Sequence, residues 1–177
     1  MNSAGPDPSL VKASPESTDA SFLCPQGLFR YRAAALIVRS GAVLLAKNDR
    51  DDYYYSVGGG VHVGETAEEA LRRELLEETG FALEPGPLCV LHENFFVDTT
   101  DGTPWHEVAL YFRVDVPDEF EPRGDSVTMD GIAEHMEWVP IDALDHVTAH
   151  PSWLRDELTH PHDDIRHIVT TQGADGA

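Results

Sequence analysis

The run from Thr66 to Phe81, TAEEALRRELLEETGF, restricts more than any other stretch how this chain folds. Thr66-Ala67-Glu68-Glu69 has the capping-box pattern, in which the Thr66 hydroxyl accepts from the amide three residues on and Glu69 reaches back to the cap amide. Ala67, Ala70, Leu71 and Leu75 recur at helical spacing and form an apolar stripe. No Gly or Pro interrupts residues 67–79, and Gly80 stands where a left-handed C-terminal cap belongs, with Phe81 packing back on the last turn. The spacing predicts a helix over 67–79, roughly three and a half turns long.

The same helix carries an unusual charge pattern. Glu74, Glu77 and Glu78 stand at i, i+3 and i+4 and are therefore neighbours. At about 100° per residue they overlap the apolar stripe, whereas a solvated acidic face would lie opposite it. Like charges at this spacing destabilise a helix by a few tenths of a kcal/mol each, and these crowd its C-terminal end, where the dipole favours cations. A bound cation is the natural neutraliser, and hard oxygen ligands suit Mg2+ or Mn2+ better than zinc. Arg73 stands four residues after Glu69 and four before Glu77, so it is expected to pair with either along one flank. That role is either an ordinary ion pair or the orientation of a metal ligand.

Ahead of the helix comes Val57-Gly58-Gly59-Gly60. Glycine lets a backbone approach a ligand with no Cβ in the way. We expect a glycine-rich turn here, leading through Glu65 into the capped helix, with carbonyls free to join the carboxylates around a metal.

Gly59, Glu65, Arg73, Glu74, Leu75, Glu77, Glu78, Gly80 and Phe81 together resemble the Nudix box of MutT-like hydrolases, G-x5-E-x7-R-E-U-x-E-E-x-G-U with U apolar. The box covers residues 59–81, and the flanking strand pattern extends the resemblance to about residues 28–168. The resemblance implies an α/β fold, an α/β/α sandwich with a mixed β-sheet and a loop-helix-loop catalytic motif. It implies hydrolysis of a nucleoside diphosphate linked to another moiety. On this chain Glu74, Glu77 and Glu78 would bind Mg2+, or Mn2+, together with the backbone of Gly59 or its neighbour Gly60. Glu74, Glu77, Glu78 and Arg73 would be the catalytic set, with Gly58, Gly59, Gly60 and Phe96 at the substrate. The general base stays open between a glutamate near the metal and a carboxylate elsewhere, and Glu93, Glu107, Asp130 and Glu134 compete to supply an extra metal ligand. A homodimer is also an expectation from resemblance.

The rest of the chain of 177 residues is expected to form one domain. Residues 1–21, rich in Ser, Pro, Ala, Asp and Gly, are expected to be a disordered tail, residues 22–171 the hydrolase domain, and 172–177 a flexible end. A formal net charge of −20 repels a bare polyanion, so the substrate is expected to meet the protein as a magnesium complex, and nucleic acid is not an expected partner. There is no signal-peptide pattern and no apolar run of membrane-spanning length. Cys24 and Cys89 are expected to be reduced thiols, consistent with a cytoplasmic protein.

Alternation and β-branched content predict strands over 31–39 and 42–47 around a Ser40-Gly41 hairpin turn, then 53–57, 88–97, 107–116, 135–139 and 165–170. Short helical stretches are expected over 141–144 and 152–158. Tyr53, Tyr54, Tyr55, Phe95, Phe96 and Trp105 offer a stacking platform for a base, although each also suits plain sheet packing. Relatives that cleave ADP-ribose often carry a proline where Phe96 stands. A compact chain without a separate recognition domain favours a nucleoside triphosphate cleaved to monophosphate and pyrophosphate. The alternative is a nucleotide-sensing module that does not cleave, against which the complete box argues.

Overall fold

The computed structural model describes residues 18–122 and 132–172. Helix α1 forms over Ala67–Thr79, with Thr66 and Glu69 making both bonds of the capping box and Gly80 closing the far end at φ 75°. Ala67, Ala70, Leu71 and Leu75 are its buried stripe, as their spacing requires. Leu71 and Leu75 are completely buried, a contribution of roughly 1.5–3 kcal/mol each.

The described residues form ten strands beside this helix: β1 (Ser21–Cys24), β2 (Gly27–Arg39), β3 (Ala42–Asn48), β4 (Tyr54–Ser56), β5 (Gly58–Gly60), β6 (Leu88–Val97), β7 (Pro104–Val114), β8 (Glu134–Pro140), β9 (Ala149–His150) and β10 (Arg166–Thr171). They form one mixed sheet in the order β10-β6-β7-β2-β3-β4-β9, with β1 and β5 added to β2 and β8 added to β3. The pairs β2–β7, β6–β10 and β4–β9 are parallel, and the others are antiparallel. β2 is the spine, because its successive segments pair with β1, β5 and β3 along one edge while β7 follows it along the other.

Period-2 alternation along β2 sends Ala33, Ala35 and Ile37 to a core shared with α1, and Ala34 and Leu36 to a second core. The second core is covered by a 3-10 turn at Ile141–His146 and by α2 (Leu154–Thr159), through Leu144, Trp153 and Leu154. Helical layers thus lie on both sides of a mixed sheet, the architecture that the Nudix resemblance implies. Between β2 and β3, Ser40 and Gly41 form the two-residue turn at φ 52° and 79°.

Some sequence expectations need correction. The glycines are a paired strand: Gly58, Gly59 and Gly60 lie opposite Ala34, Ala33 and Arg32 of β2. The seventh strand starts at Pro104, so Trp105 and His106 belong to the sheet, held there by pairing with Phe96 and Phe95. The residues at that end, Trp105, His106 and Glu107, do not alternate between apolar and polar. β1 is a further difference, since Ser21, counted with the expected tail, begins it. Thr18 and Ala20 are stitched to the segment after the glycines through Val63 N–H to Thr18 O at 2.9 Å and Ala20 N–H to Val61 O at 2.7 Å. The remainder of the expected tail, residues 1–17, and the expected flexible end at 173–177 lie outside the described residues. Among the described residues no helix is long and apolar enough to cross a membrane. Cys24 and Cys89 are both free thiols.

Candidate active site

The site is assembled where the C-terminal half of α1 meets β5. Gly58 has φ 129°, and a Cβ there would run into the Ala33 carbonyl, so the strand can approach β2 this closely only with glycine. A Cβ on Gly59 would lie within 2.6 Å of the Glu74 carboxyl atoms. The Glu74 carboxylate therefore rests directly over the bare backbone of Gly59. The Gly58 amide donates to Glu78 Oε2 at 3.0 Å. Two of the helix carboxylates are thus directed at the glycine strand.

Glu77 stands apart from them, which corrects the expectation of three carboxylates on one buried face. Its side chain is 61 % exposed, against 14 % for Glu74. The helix stripe narrows toward solvent at that flank, and Glu77 reaches back only as far as Arg73, at 3.6 Å.

Burial pushes the Glu78 carboxyl up to about 8, and the neighbouring Glu74 charge adds to the shift. Glu74 is also raised, first by burial, although Arg73 opposes the change. Two adjacent, partly desolvated carboxylates with too little positive charge beside them form an arrangement that a cation would relieve.

Arg73 does not use Glu69, which is occupied in the capping box. Its main partner is Glu65, through Nε to Oε1 at 3.0 Å and Nη2 to Oε2 at 3.0 Å, a two-pronged ion pair. Nη2 also donates to Gly60 O at 3.0 Å, and Nη1 donates to Glu74. Glu65 in turn accepts from the His62 amide at 3.0 Å. The hydrogen bond from Arg73 is the main reason that the Glu65 carboxyl is lowered. Arg73 therefore ties helix, glycine strand and connecting loop together, a long-range role that i,i+4 spacing does not reveal.

The further carboxylates separate clearly. Glu107 is buried and paired with Arg30 through Nε at 2.7 Å and through Nη2. Glu93 holds His167 at 2.7 Å. Glu134 accepts from the Tyr55 hydroxyl, and its charge acts on Glu78. Asp130 lies outside the described residues.

Phe96 is not brought to the carboxylates. It stacks on Trp105 with ring centroids 5.5 Å apart, and Arg30 lies over the Trp105 ring at 4.9 Å. Trp105 is opposite Leu28 in the register of β2, four residues from Arg32, or about 13 Å along the strand. Arg30 and Arg32 escaped the sequence reading. The available signal was two arginines spaced by two at the head of an otherwise apolar strand.

Among the described residues no three acidic, imidazole or thiol groups stand in the arrangement that a metal ion requires. Arg73 holds Glu74, and the Gly58 amide holds Glu78. The chemistry of the donors still fits a hard divalent cation: carboxylate oxygens beside a glycine backbone whose missing Cβ leaves room for them.

Carboxylates gathered beside a bare glycine backbone suit a hard divalent cation, and such a cation is what the hydrolysis of phosphoric anhydrides uses to neutralise phosphate charge. Pyrophosphohydrolases are one class with which such a donor set is compatible. Comparison narrows the choice: a NUDIX domain model matches residues 28–159, and the chain belongs to the Nudix family, hydrolases of nucleoside diphosphate derivatives. Among solved structures it is similar to a MutT protein from Bacillus halodurans, with 20% identity over 80% of this chain and 90% of that one and a TM-score of 0.62. A MutT NUDIX hydrolase from Burkholderia pseudomallei shares 28% identity over 73% of this chain and 96% of its own, with a TM-score of 0.53. An ADP-ribose pyrophosphatase from Streptococcus suis shares 15% identity over 80% of this chain and 98% of its own, with a TM-score of 0.51. No curated protein matches the sequence significantly.

Proposed function

We propose that this protein is a divalent-cation-dependent pyrophosphohydrolase that cleaves a nucleoside triphosphate to the monophosphate and pyrophosphate. The observation that carries the reading is the pairing of the Glu74 and Glu78 carboxylates with the bare Gly58–Gly59 backbone. Glu74, Glu77 and Glu78, with the Gly59 carbonyl, would hold Mg2+ or Mn2+. When bound, such an ion supplies positive charge to phosphate oxygens and polarises the attacking water.

The chain's own residues do the rest. Arg73 keeps the helix and the glycine strand in register through Glu65 and Gly60. Burial and the Glu74 charge hold the Glu78 carboxyl up to about 8 in the metal-free protein, and a bound divalent ion would favour its ionised, ligating form. Glu134, held by Tyr55, is another carboxylate within electrostatic reach of Glu78. The Phe96–Trp105 stack, about 13 Å along β2 from Arg32, offers an aromatic shelf for a base. Two free thiols suit a reducing cytoplasm. The complete box from Gly59 to Phe81 argues against the nucleotide-sensor alternative.

The test is phosphate and pyrophosphate release on a panel of nucleoside triphosphates, nucleotide sugars, ADP-ribose and dinucleotides, with Mg2+, Mn2+ or EDTA. Turnover that requires a divalent ion and is fastest on a triphosphate supports the reading. Silence with both ions, while nucleotides still bind, sinks it.

A further inference from the structure

Arg32 lies outside the Nudix motif, on the β2 face turned away from α1, yet it reaches the catalytic backbone. Its Nη2 donates to Ser56 O at 2.6 Å and to Gly58 O at 2.9 Å. These two carbonyls bracket Val57, which is completely buried and whose own carbonyl accepts from the Ala35 amide at 2.9 Å. Three successive peptide groups are therefore held from β2. The outer two are held by the arginine side chain and the middle one by the Ala35 amide. The middle peptide is the one whose N–H, on Gly58, donates to Glu78.

The chain needs a side chain here for a physical reason. At this point β4 ends and β5 begins, so the regular ladder is interrupted between Ser56 and Gly58. Gly58, at φ 129°, has little conformational restraint of its own. One planar nitrogen with two N–H bonds supplies both missing donors at once. Burial works against the charge of Arg32, but Glu107, Tyr111, Glu78 and Glu74 all favour its protonated form. Its Nε is buried without a hydrogen-bond partner, so the side chain is held by what Nη2 does and by these charges.

We infer that Arg32 is a positioning residue for the reaction: by fixing the carbonyls of Ser56 and Gly58 it aims the Gly58 amide at Glu78 and sets the Gly59 backbone under Glu74. Its kinetic consequence rests on the hydrolase reading, whereas its structural consequence does not.

Two variants separate the fork from the charge. Arg32→Lys keeps a cation, but its ammonium ends one bond short of the Nη2 position. Arg32→Met removes both. In Arg32→Met, kcat is expected to fall about a hundredfold with KM within about threefold of wild type, the pattern of a misplaced reacting group. Arg32→Lys is expected to stay folded, with a melting temperature lowered by only a few degrees, while recovering less than about a tenth of kcat. Exchange of the Gly58 amide, followed by NMR in metal-free protein, is expected to be at least about tenfold faster in Arg32→Lys, with the α1 amides unchanged. Wild-type kcat in Arg32→Lys would show that charge alone suffices, and a raised KM with unchanged kcat would put Arg32 on the substrate. Either result overturns the inference. Wild-type Gly58 exchange in Arg32→Lys overturns it whatever the kinetics. If the unaltered enzyme cleaves nothing on the panel, the hydrolase reading fails and the exchange measurement alone decides the role of Arg32.

Discussion

The Glu78 carboxylate accepts a hydrogen bond from the Gly58 amide at 3.0 Å, across twenty residues of sequence. This bond joins the last turn of α1 to the start of β5 and explains how a carboxyl pushed up to about 8 by burial keeps a donor beside it. Several expected outcomes follow from the two elements that it connects.

Glu78→Gln and Glu77→Gln are each expected to lower kcat about a hundredfold, the scale of a group essential to metal-assisted hydrolysis. They are expected to part company in metal-free stability. Glu78→Gln removes a desolvated charge and is expected to raise Tm at pH 8 by about 5 °C. Glu77, 61 % exposed and paired only loosely with Arg73, is expected to leave Tm unchanged. Calorimetry in EDTA beside steady-state turnover checks both.

Stability of the metal-free protein is expected to fall as pH rises from about 5 to 8. Glu78 titrates near 8 in the folded state and near the ordinary carboxyl range when unfolded, so the folded state binds the extra proton between those values. The contribution of the neutral carboxyl is fully present below the unfolded value and is lost as pH passes the folded one. Thermal melts in EDTA across this window check the slope, and an equally steep slope in Glu78→Gln would refute its assignment to Glu78.

Gly59→Ala and Gly58→Ala are expected to fail differently. The added methyl at position 59 meets the end of a flexible Glu74 side chain, which can swing away. Folding is then kept within about 1 kcal/mol while activity is lost, because the carboxylate has left its place. At position 58 the methyl meets the Ala33 backbone and the φ of 129° is strained, so stability is expected to fall by about 2–3 kcal/mol. Denaturant titration beside kinetics distinguishes them.

Glu65→Gln and Arg73→Gln are expected to show a coupling of about 1–2 kcal/mol in a double-mutant cycle on transition-state stabilisation, since one two-pronged pair serves both. Glu69→Gln paired with Arg73→Gln is expected to be additive, because these side chains do not pair. Cycles on kcat/KM decide which partner Arg73 uses.

The sequence alone determined the features governed by neighbours a few residues apart. The α1 boundaries, both caps and the buried stripe follow from local spacing, and so does the Ser40-Gly41 hairpin, because their geometry is set within one turn of chain. The fold class was legible through the nine fixed positions from Gly59 to Phe81. Tertiary structure decided what depends on how separate segments meet: that Arg73 takes Glu65 over Glu69, that Glu77 faces solvent, that Phe96 on β6 stacks on Trp105 away from the carboxylates, and that Arg32 braces the glycine strand. An i,i+4 spacing lists the partners a side chain can reach along its own helix, but capping had already claimed Glu69, and the loop between β5 and α1 supplied the stronger competitor, Glu65.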